Sequence, residues 1–119
     1  MTTNPTPVRG EVWRIRFDPA EGDEIKKVRV AVVMNENAIG RLKLKIVVPI
    51  TEWKARYASY PWFVHLAPTP TNGLTKDSGA DAFQVKSVSE TRFLGRLGEL
   101  TPAQVEDIAS AVATCVGAP

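Results

Sequence analysis

The sequence predicts a mainly β domain, a small curved sheet or barrel, that carries one C-terminal α-helix. Apolar residues recur with the two-residue period of strands, loops rich in glycine, proline and asparagine separate these stretches, and the period becomes helical only after Thr101. A chain of 119 residues that is 44% hydrophobic and 24% charged can hold one such domain with its own core. We expect a short flexible tail over residues 1–8 and a single domain over residues 9–119.

Six stretches have the alternation or the apolar content of strands. Residues 12–17 (VWRIRF) place Trp13, Ile15 and Phe17 on one face and two arginines on the other. Residues 28–34 form a short valine-rich run that is typical of a buried strand. The other candidates are residues 42–50, 62–66, 80–88 and 92–100.

The stretch 42–50 (LKLKIVVPI) alternates most clearly. One parity holds Leu42, Leu44, Ile46, Val48 and Ile50, and the other holds Lys43, Lys45 and Val47. Thr51 follows on the lysine side, provided that no bulge intervenes at Pro49.

The terminal helix has a well-marked beginning. Thr101 is the predicted N-cap, Pro102 fits the first turn, and Gln104 completes a capping box. Gly117 is expected to end the helix. The predicted apolar stripe consists of Val105, Ile108, Ala109, Val112 and Val116.

Composition limits the possible functions. The single cysteine, Cys115, cannot form an internal disulfide, which fits a reducing compartment. There is no apolar run of the roughly 20 residues that cross a bilayer and no recognisable leader, so we expect a cytoplasmic protein that makes no contact with membranes. Residues 1–60 carry a net charge of +4 and residues 61–119 a net charge of −2, so the front half favours a polyanionic partner.

Several familiar catalytic patterns are missing from the sequence. Neither glycine-rich phosphate loop is present, and one histidine with one cysteine cannot build a His/Cys metal cluster. There is no Gly-x-Ser-x-Gly elbow. We therefore expect no cofactor and no metal, and we interpret His65 first as a partly buried, hydrogen-bonded strand residue.

Two polar residues at the ends of predicted strands are hard to explain by packing. Arg29 lies among valines at the start of the second strand, and Thr51 directly follows the third. A buried arginine is unfavourable unless its five donors find anions or carbonyls. The alternative explanation is an ion pair of Arg29 with Glu24 or Asp23.

Three segments resemble the MazF/PemK-type toxins of bacterial toxin–antitoxin systems. They are RGEVWRIRFDPAEGDEIKKVRVAVVMN, KIVVPIT and DAFQVKSVSETRFLGRLGELTPAQ. The resemblance implies an SH3-like barrel of the type shared with the gyrase poison CcdB, a homodimer, and metal-independent cleavage of single-stranded mRNA to 2′,3′-cyclic phosphate and 5′-OH ends. The catalytic arginine and threonine of the family fall on Arg29 and Thr51, and its loop glutamate falls on Glu24, the candidate for proton transfer or for orienting Arg29.

The chain departs from the family pattern at three positions. Val30 follows Arg29 where proline is usual, so a fixed φ is missing. Some members use an aspartate before the glutamine and an arginine two positions earlier for proton transfer, and these positions are Phe83 and Asp81 here. That version of the mechanism does not transfer, which leaves His65 as a rival of Glu24.

The connection EWKARYASYPW mixes aromatic rings and cations directly after Thr51. This composition is typical of grooves for single-stranded nucleic acid, in which cations bind phosphates and rings stack on bases. The predicted RNA-binding residues are Lys26, Lys27, Trp53, Lys54, Arg56 and Tyr57. Trp62 is expected to cover the core instead. Arg14, Arg16, Lys43 and Lys45 either extend the basic face or are ordinary solvated charges.

The resemblance also implies a cognate antitoxin, an acidic and partly disordered protein that lies across the basic groove. Two other classes stay open. One is a gyrase-poison-like inhibitor without enzymatic activity, which needs a C-terminal aromatic residue that the ending Val116-Gly117-Ala118-Pro119 does not supply. The other is an inactive nucleic-acid-binding barrel.

Overall fold

The computed structural model describes residues 6–39 and 43–119, which form an antiparallel sheet and one helix. The strands lie side by side in the order β4-β5-β3-β2-β1-β7, and β6 pairs with β3. The bounds are β1 Glu11–Arg16, β2 Val28–Val33, β3 Leu44–Glu52, β4 Phe63–Leu66, β5 Ser78–Asp81, β6 Lys86–Ser89, β7 Phe93–Glu99 and α1 Pro102–Cys115. In this part of the chain the strands form an open sheet, so the implied barrel does not close.

The long strand β3 organises the sheet because it has partners on both sides. Its residues 47–50 pair with β2, its first half pairs with β6, and its last residues pair with β5. Pro49 lies between the part of β3 that pairs with β6 and the part that pairs with β5. Proline has no N–H, and at this position its absence costs neither partner strand a hydrogen bond. The β2–β3 register runs through Pro49 without a bulge.

Two sequence predictions for this region were wrong. Residues 80–88 are not one strand, because the 3₁₀ turn Ala82–Gln84 separates β5 from β6. Leu44 and Ile46 are 44% and 42% exposed, while the neighbours Val47 and Val48 are both buried. The inner half of β3 is therefore covered on both faces, and the simple alternation does not hold. Leu42 lies outside the described residues.

The buried side chains form two clusters. The first joins the central strands to α1 and includes Val12, Val32, Val48 and Ile108. The second includes Trp13, Ile15, Phe17, Ala31, Val33, Val47 and Val88. Because successive strand residues point to opposite faces, the two clusters fix the central strands from both sides.

The terminal helix begins as predicted. The Thr101 side chain accepts from the Gln104 N–H at 3.1 Å, and the Thr101 N–H donates to Gln104 Oε1 at 2.9 Å. Gly117 follows the helix with a positive φ of 69°, a conformation that suits glycine. The predicted apolar stripe is partly wrong, since Val116 is 70% exposed and Ala111 is buried instead. Among the described residues, no helix is long and apolar enough to cross a membrane.

Glu11 ties β1 to β7 and to the segment before β1. It accepts from the Val8 N–H at 2.8 Å and from Trp13 Nε1 at 3.1 Å, and it pairs with Arg96 Nε at 2.6 Å. Residues 6–8 are the described part of the predicted tail. The hydrogen bond from Val8 and the burial of Pro7 attach this part to the domain. Burial raises the pKa of Glu11, but its hydrogen bonds to Val8, Arg96 and Trp13 outweigh burial and hold the pKa below the usual value.

We predict that Glu11→Gln lowers the free energy of unfolding at pH 7 by about 1–3 kcal/mol, because hydrogen bonds to a charged acceptor are weakened. A lowered native pKa stabilises the fold above the unfolded-state pKa, and this stabilisation is lost as pH falls through the native pKa. The wild type and the variant should therefore converge in acid. Urea denaturation across a pH series measures this, with the exposed Glu106→Gln as control. A difference that is independent of pH would contradict the assignment.

Candidate active site

Four neighbouring strands place Arg29, Thr51, Gly79 and His65 in one row. Val30 lies opposite Ile50, where the pairing of β2 with β3 ends, and extension of this register by one residue sets Arg29 opposite Thr51. Thr51 lies opposite Gly79, and Gly79 lies opposite His65. Residues opposite each other on adjacent strands share a face, so the two residues singled out from the sequence lie side by side.

Arg29 is exposed and not paired with an acid. Its guanidinium donates to the Val28 carbonyl at 3.2 Å, and none of the ion pairs formed within residues 6–39 and 43–119 includes it. The alternative of an ion pair with Glu24 or Asp23 was therefore wrong. The prediction of a buried strand over residues 28–34 was only partly right, since burial in β2 begins at Ala31. The guanidinium is free to bind an anion from solvent.

Arg29 and Thr51 line an open cleft of about 540 Å³ at the end of the sheet. Arg14 and Lys76 add positive charge to its lining, and Glu52 contributes a carboxylate that lies 3.9 Å from Lys76 Nζ. The charge of the cleft is thus positive overall, which suits a phosphate group. A second cleft of about 630 Å³ near the start of α1 contains Glu99 and Glu106 beside Arg9, which makes it less suited to a polyanion.

The loop between β1 and β2 is held by Gln84, a residue that is distant in the sequence. Gln84 Oε1 accepts from the Ile25 N–H at 2.8 Å, and Gln84 Nε2 donates to the Asp23 carbonyl at 2.8 Å. Lys27 adopts a positive φ of 64°, which is uncommon for a residue with a side chain. Its N–H donates to Asp18 Oδ1 at 2.9 Å, which closes the loop just before Arg29.

The structure does not bring every predicted site residue to the cleft. Glu24, Lys26 and Lys27 are exposed and are not among the residues that line it. The predicted RNA-binding residues after Thr51 do not line it either: Trp53, Lys54, Arg56 and Tyr57. Glu24 Oε1 accepts from the Glu21 N–H at 3.1 Å, within the same loop. Glu24 therefore remains a prediction without a contact to Arg29 or Thr51.

An aromatic wall follows Thr51. Trp53 stacks on His65 with ring centroids 4.1 Å apart, and Tyr57 stacks on Phe63 at 3.9 Å. Arg56 lies over the Tyr57 ring at 5.2 Å, and Lys54 is exposed. The predicted cations and rings are thus grouped on the 3₁₀ turn Ala55–Ser59 and the residues around it.

Trp62 is not a core residue, contrary to the prediction. It is only partly buried, stacks on Tyr60 at 4.8 Å, and approaches Phe83 at 5.9 Å. Phe83 is 68% exposed. Burial raises the pKa of nearby Asp81, while its bonds from the Phe83 and Gln84 N–H groups oppose this rise.

The other basic residues are divided between free and paired charges. Arg14, Arg16 and Lys43 are exposed. Lys45 lies 3.7 Å from Glu90 and its side chain is 13% exposed, so it is held by a carboxylate. Of the four residues considered for a wider basic face, only Arg14 lines the cleft.

Sequence reasoning missed Asp77 and Gly79. Asp77 Oδ1 lies 2.7 Å from His65 Nε2, which accounts for the hydrogen-bonded histidine that we expected, although His65 is exposed rather than partly buried. Asp77 carried no sequence pattern that indicated this contact. An isolated glycine inside a strand indicates close approach by another group, and this signal was available for Gly79.

Residues 8–116 match the family described as "PemK-like, MazF-like toxin of type II toxin-antitoxin system". The chain belongs to this toxin family. The toxin is 33% identical over 110 residues to the protein named Endoribonuclease MazF9 of Mycobacterium tuberculosis (strain ATCC 25618 / H37Rv), in an alignment that covers 87% of this chain and 91% of the relative.

Solved structures share the fold of this toxin. The crystal structure of MazF from Deinococcus radiodurans matches with a TM-score of 0.78 at 22% identity, over 96% of this chain and 99% of that chain. An endoribonuclease in complex with its cognate antitoxin, from a mycobacterial species, matches with a TM-score of 0.75 at 23% identity, over 95% and 97% of the two chains. The mainly β fold with a C-terminal helix is thereby confirmed.

We predict that Gln84→Ala releases the β1–β2 loop of the toxin, because both backbone bonds from Gln84 are lost. Each such bond contributes about 0.5–1.5 kcal/mol. Hydrogen exchange should become faster at the Ile25 amide and its loop neighbours. The Val32 amide, in the buried centre of β2, serves as an internal control. Unchanged exchange at Ile25 would show that the loop is held by other contacts.

Proposed function

We propose that this MazF-like endoribonuclease toxin cleaves single-stranded mRNA at specific sequences, without a metal ion, and leaves 2′,3′-cyclic phosphate and 5′-OH ends. The observation that carries the proposal is the unpaired Arg29 guanidinium opposite Thr51 at a positively charged cleft. The named relative is an endoribonuclease, which agrees with this reaction.

Arg29 is the proposed electrostatic catalyst. When the ribose 2′-oxygen attacks the neighbouring phosphorus, negative charge grows on the non-bridging phosphate oxygens. A guanidinium fixed beside them stabilises this charge without reorganisation, and one such donor is commonly worth about 10²- to 10³-fold in rate. The paired β2 and β3 strands supply this fixed position.

Thr51 is proposed to hold the scissile phosphate or the 2′-hydroxyl by a hydrogen bond. Its hydroxyl is too weakly basic to remove the proton unaided. Proton transfer is assigned to Glu24, with its exposed loop position as the only structural support, and His65 is its rival. In this proposal one residue, Arg29, stabilises the charge, and another, Glu24 or its rival His65, transfers the proton.

The flanking RNA is proposed to follow the basic and aromatic surface on either side of the cleft. Lys26 and Lys27 would attract phosphates on one side. Trp53, Lys54, Arg56 and Tyr57 would bind phosphates and bases on the other. The exposure of the cations and the partial exposure of the rings at these positions support contact with RNA. We further propose that the toxin acts as a cytoplasmic homodimer.

The same basic surface is proposed to bind an acidic cognate antitoxin. Among the solved structures that share the fold is an endoribonuclease bound to its own antitoxin. An acidic, partly disordered segment that folds across Arg29 and the neighbouring cations would block RNA by occupying the cleft.

The decisive test is incubation of purified protein with mixed-sequence single-stranded RNA in EDTA, followed by chemical mapping of the cut ends. We predict cyclic phosphate ends at a defined motif. Arg29→Ala should reduce the rate about 10²- to 10³-fold, and Arg29→Lys should restore only part of it because one planar fork of donors is lost.

Thr51 offers a matched pair of variants. Thr51→Ser keeps the hydroxyl and should retain most of the activity, whereas the nearly isosteric Thr51→Val should not. Circular dichroism and thermal melting establish that each variant is folded. Cleavage that requires Mg²⁺, or that survives both Arg29→Ala and Thr51→Val, would contradict the proposal. Inhibition of gyrase without RNA cleavage would favour the non-enzymatic class.

A further inference from the structure

Trp53 lies beside the proposed catalytic pair. It follows Thr51 by two residues, and its backbone N–H donates to the Asp77 carbonyl at 2.9 Å, so strand pairing continues past the end of β3. Thr51 and Trp53 therefore share a face of the sheet, with α-carbons about 7 Å apart. Trp53 is only partly buried, so part of its surface is open to solvent.

The orientation of this indole is fixed by its neighbours. His65 stacks on it with an interplanar angle of 14°, and Tyr57 meets it at 80° with ring centroids 5.8 Å apart. His65 is itself held by Asp77, at 2.7 Å. Asp77 thus holds Trp53 twice, through the backbone and through the histidine.

Gly79 lets the indole approach the sheet. A β-carbon at this position would lie 2.9 Å from Trp53 Cε3, closer than real β-carbons come, and 3.1 Å from Phe63 Cδ1, a tight contact. Any other residue would therefore require the indole or the Phe63 ring to shift. We name Trp53, His65, Asp77 and Gly79 the Trp53 clamp.

Core packing does not explain the Trp53 clamp. The side chains of His65 and Asp77 are 50% and 54% exposed, so this polar pair orients a ring at the surface rather than in the interior. Aromatic side chains beside a single-strand groove stack on bases, whereas cations at the same place bind phosphates. Trp53 packs against two rings and a glycine, and this apolar setting favours a base over a phosphate.

We propose that the Trp53 clamp binds, by stacking, the nucleobase that adjoins the phosphate held by Arg29 and Thr51. The inference rests on the proposed cleavage of RNA. Trp53 is the residue that touches the substrate, and His65, Asp77 and Gly79 are positioning residues that fix its ring. The subsite recognises the flat face of a base and orients the ribose whose 2′-oxygen reacts.

The test uses oligoribonucleotides that contain the mapped cleavage motif, either intact or with an abasic residue on the 5′ or the 3′ side of the scissile phosphate. Trp53→Ala should lower kcat/KM on the intact oligonucleotide about 5- to 150-fold, the range that base stacking supports. On one of the two abasic oligonucleotides the wild type and Trp53→Ala should be equal, because the base that Trp53 binds is missing. Trp53→Phe should retain part of the activity.

The positioning residues are tested in the same assay. Asp77→Asn and Gly79→Ala should each lower kcat/KM on intact RNA, and neither should add to the loss in Trp53→Ala, because both act through its ring. Asp107→Asn, on the exposed face of α1, is the matched control and should behave as the wild type.

Two outcomes overturn this inference. One is a Trp53→Ala protein that cleaves intact RNA as fast as the wild type. The other is a loss in Trp53→Ala that is the same on the intact and on both abasic oligonucleotides. The proposed function fails separately, when the wild type itself cleaves none of these oligonucleotides in EDTA.

Discussion

The register between β2 and β3 is the constraint on which the site depends. Val30 lies opposite Ile50 and Val32 opposite Val48, and these residues belong to the cluster that meets α1 or pack against it. Between them, residues of the same strands fill the second cluster on the other face. If one of these strands slipped by one residue against the other, its side chains would move to the opposite faces of the sheet. The burial of specific residues on both faces therefore fixes the pairing strongly. The position of Arg29 opposite Thr51 follows from this register.

The core thus places Arg29, the proposed catalytic cation, without burying it. Burial in β2 begins at Ala31, and Arg29 extends beyond it into solvent. Rigid strands under an exposed guanidinium combine a fixed position with free access, which suits charge stabilisation at a phosphate. The β1–β2 loop is different, because its order depends on a few bonds from Gln84 and Asp18. We therefore expect the proposed binding and release of RNA to change the conformation of this loop more readily than the positions of Arg29 and Thr51.

Local sequence patterns predicted the strands and the helix well, but they predicted less well which residues of these elements are buried. Alternation found β1, a continuous valine-rich run found β2, and the capping box found the start of α1. The period of two could not show that the inner half of β3 is covered on both faces, because that depends on what packs on the sheet. For the same reason the whole run 28–34 was expected to be buried, although its first residues are exposed. The Asp77–His65 contact joins segments 12 residues apart with no motif between them, so only the folded chain reveals it.

The most direct test of a shared phosphate site is a double-mutant cycle in single-turnover RNA cleavage by the wild type, Arg29→Ala, Thr51→Val and the double variant. If both side chains act on one phosphate, their effects are coupled, and the double variant should be about as slow as the slower single variant. Rate losses that multiply independently in folded proteins would place the two groups at separate steps or sites and would contradict the account.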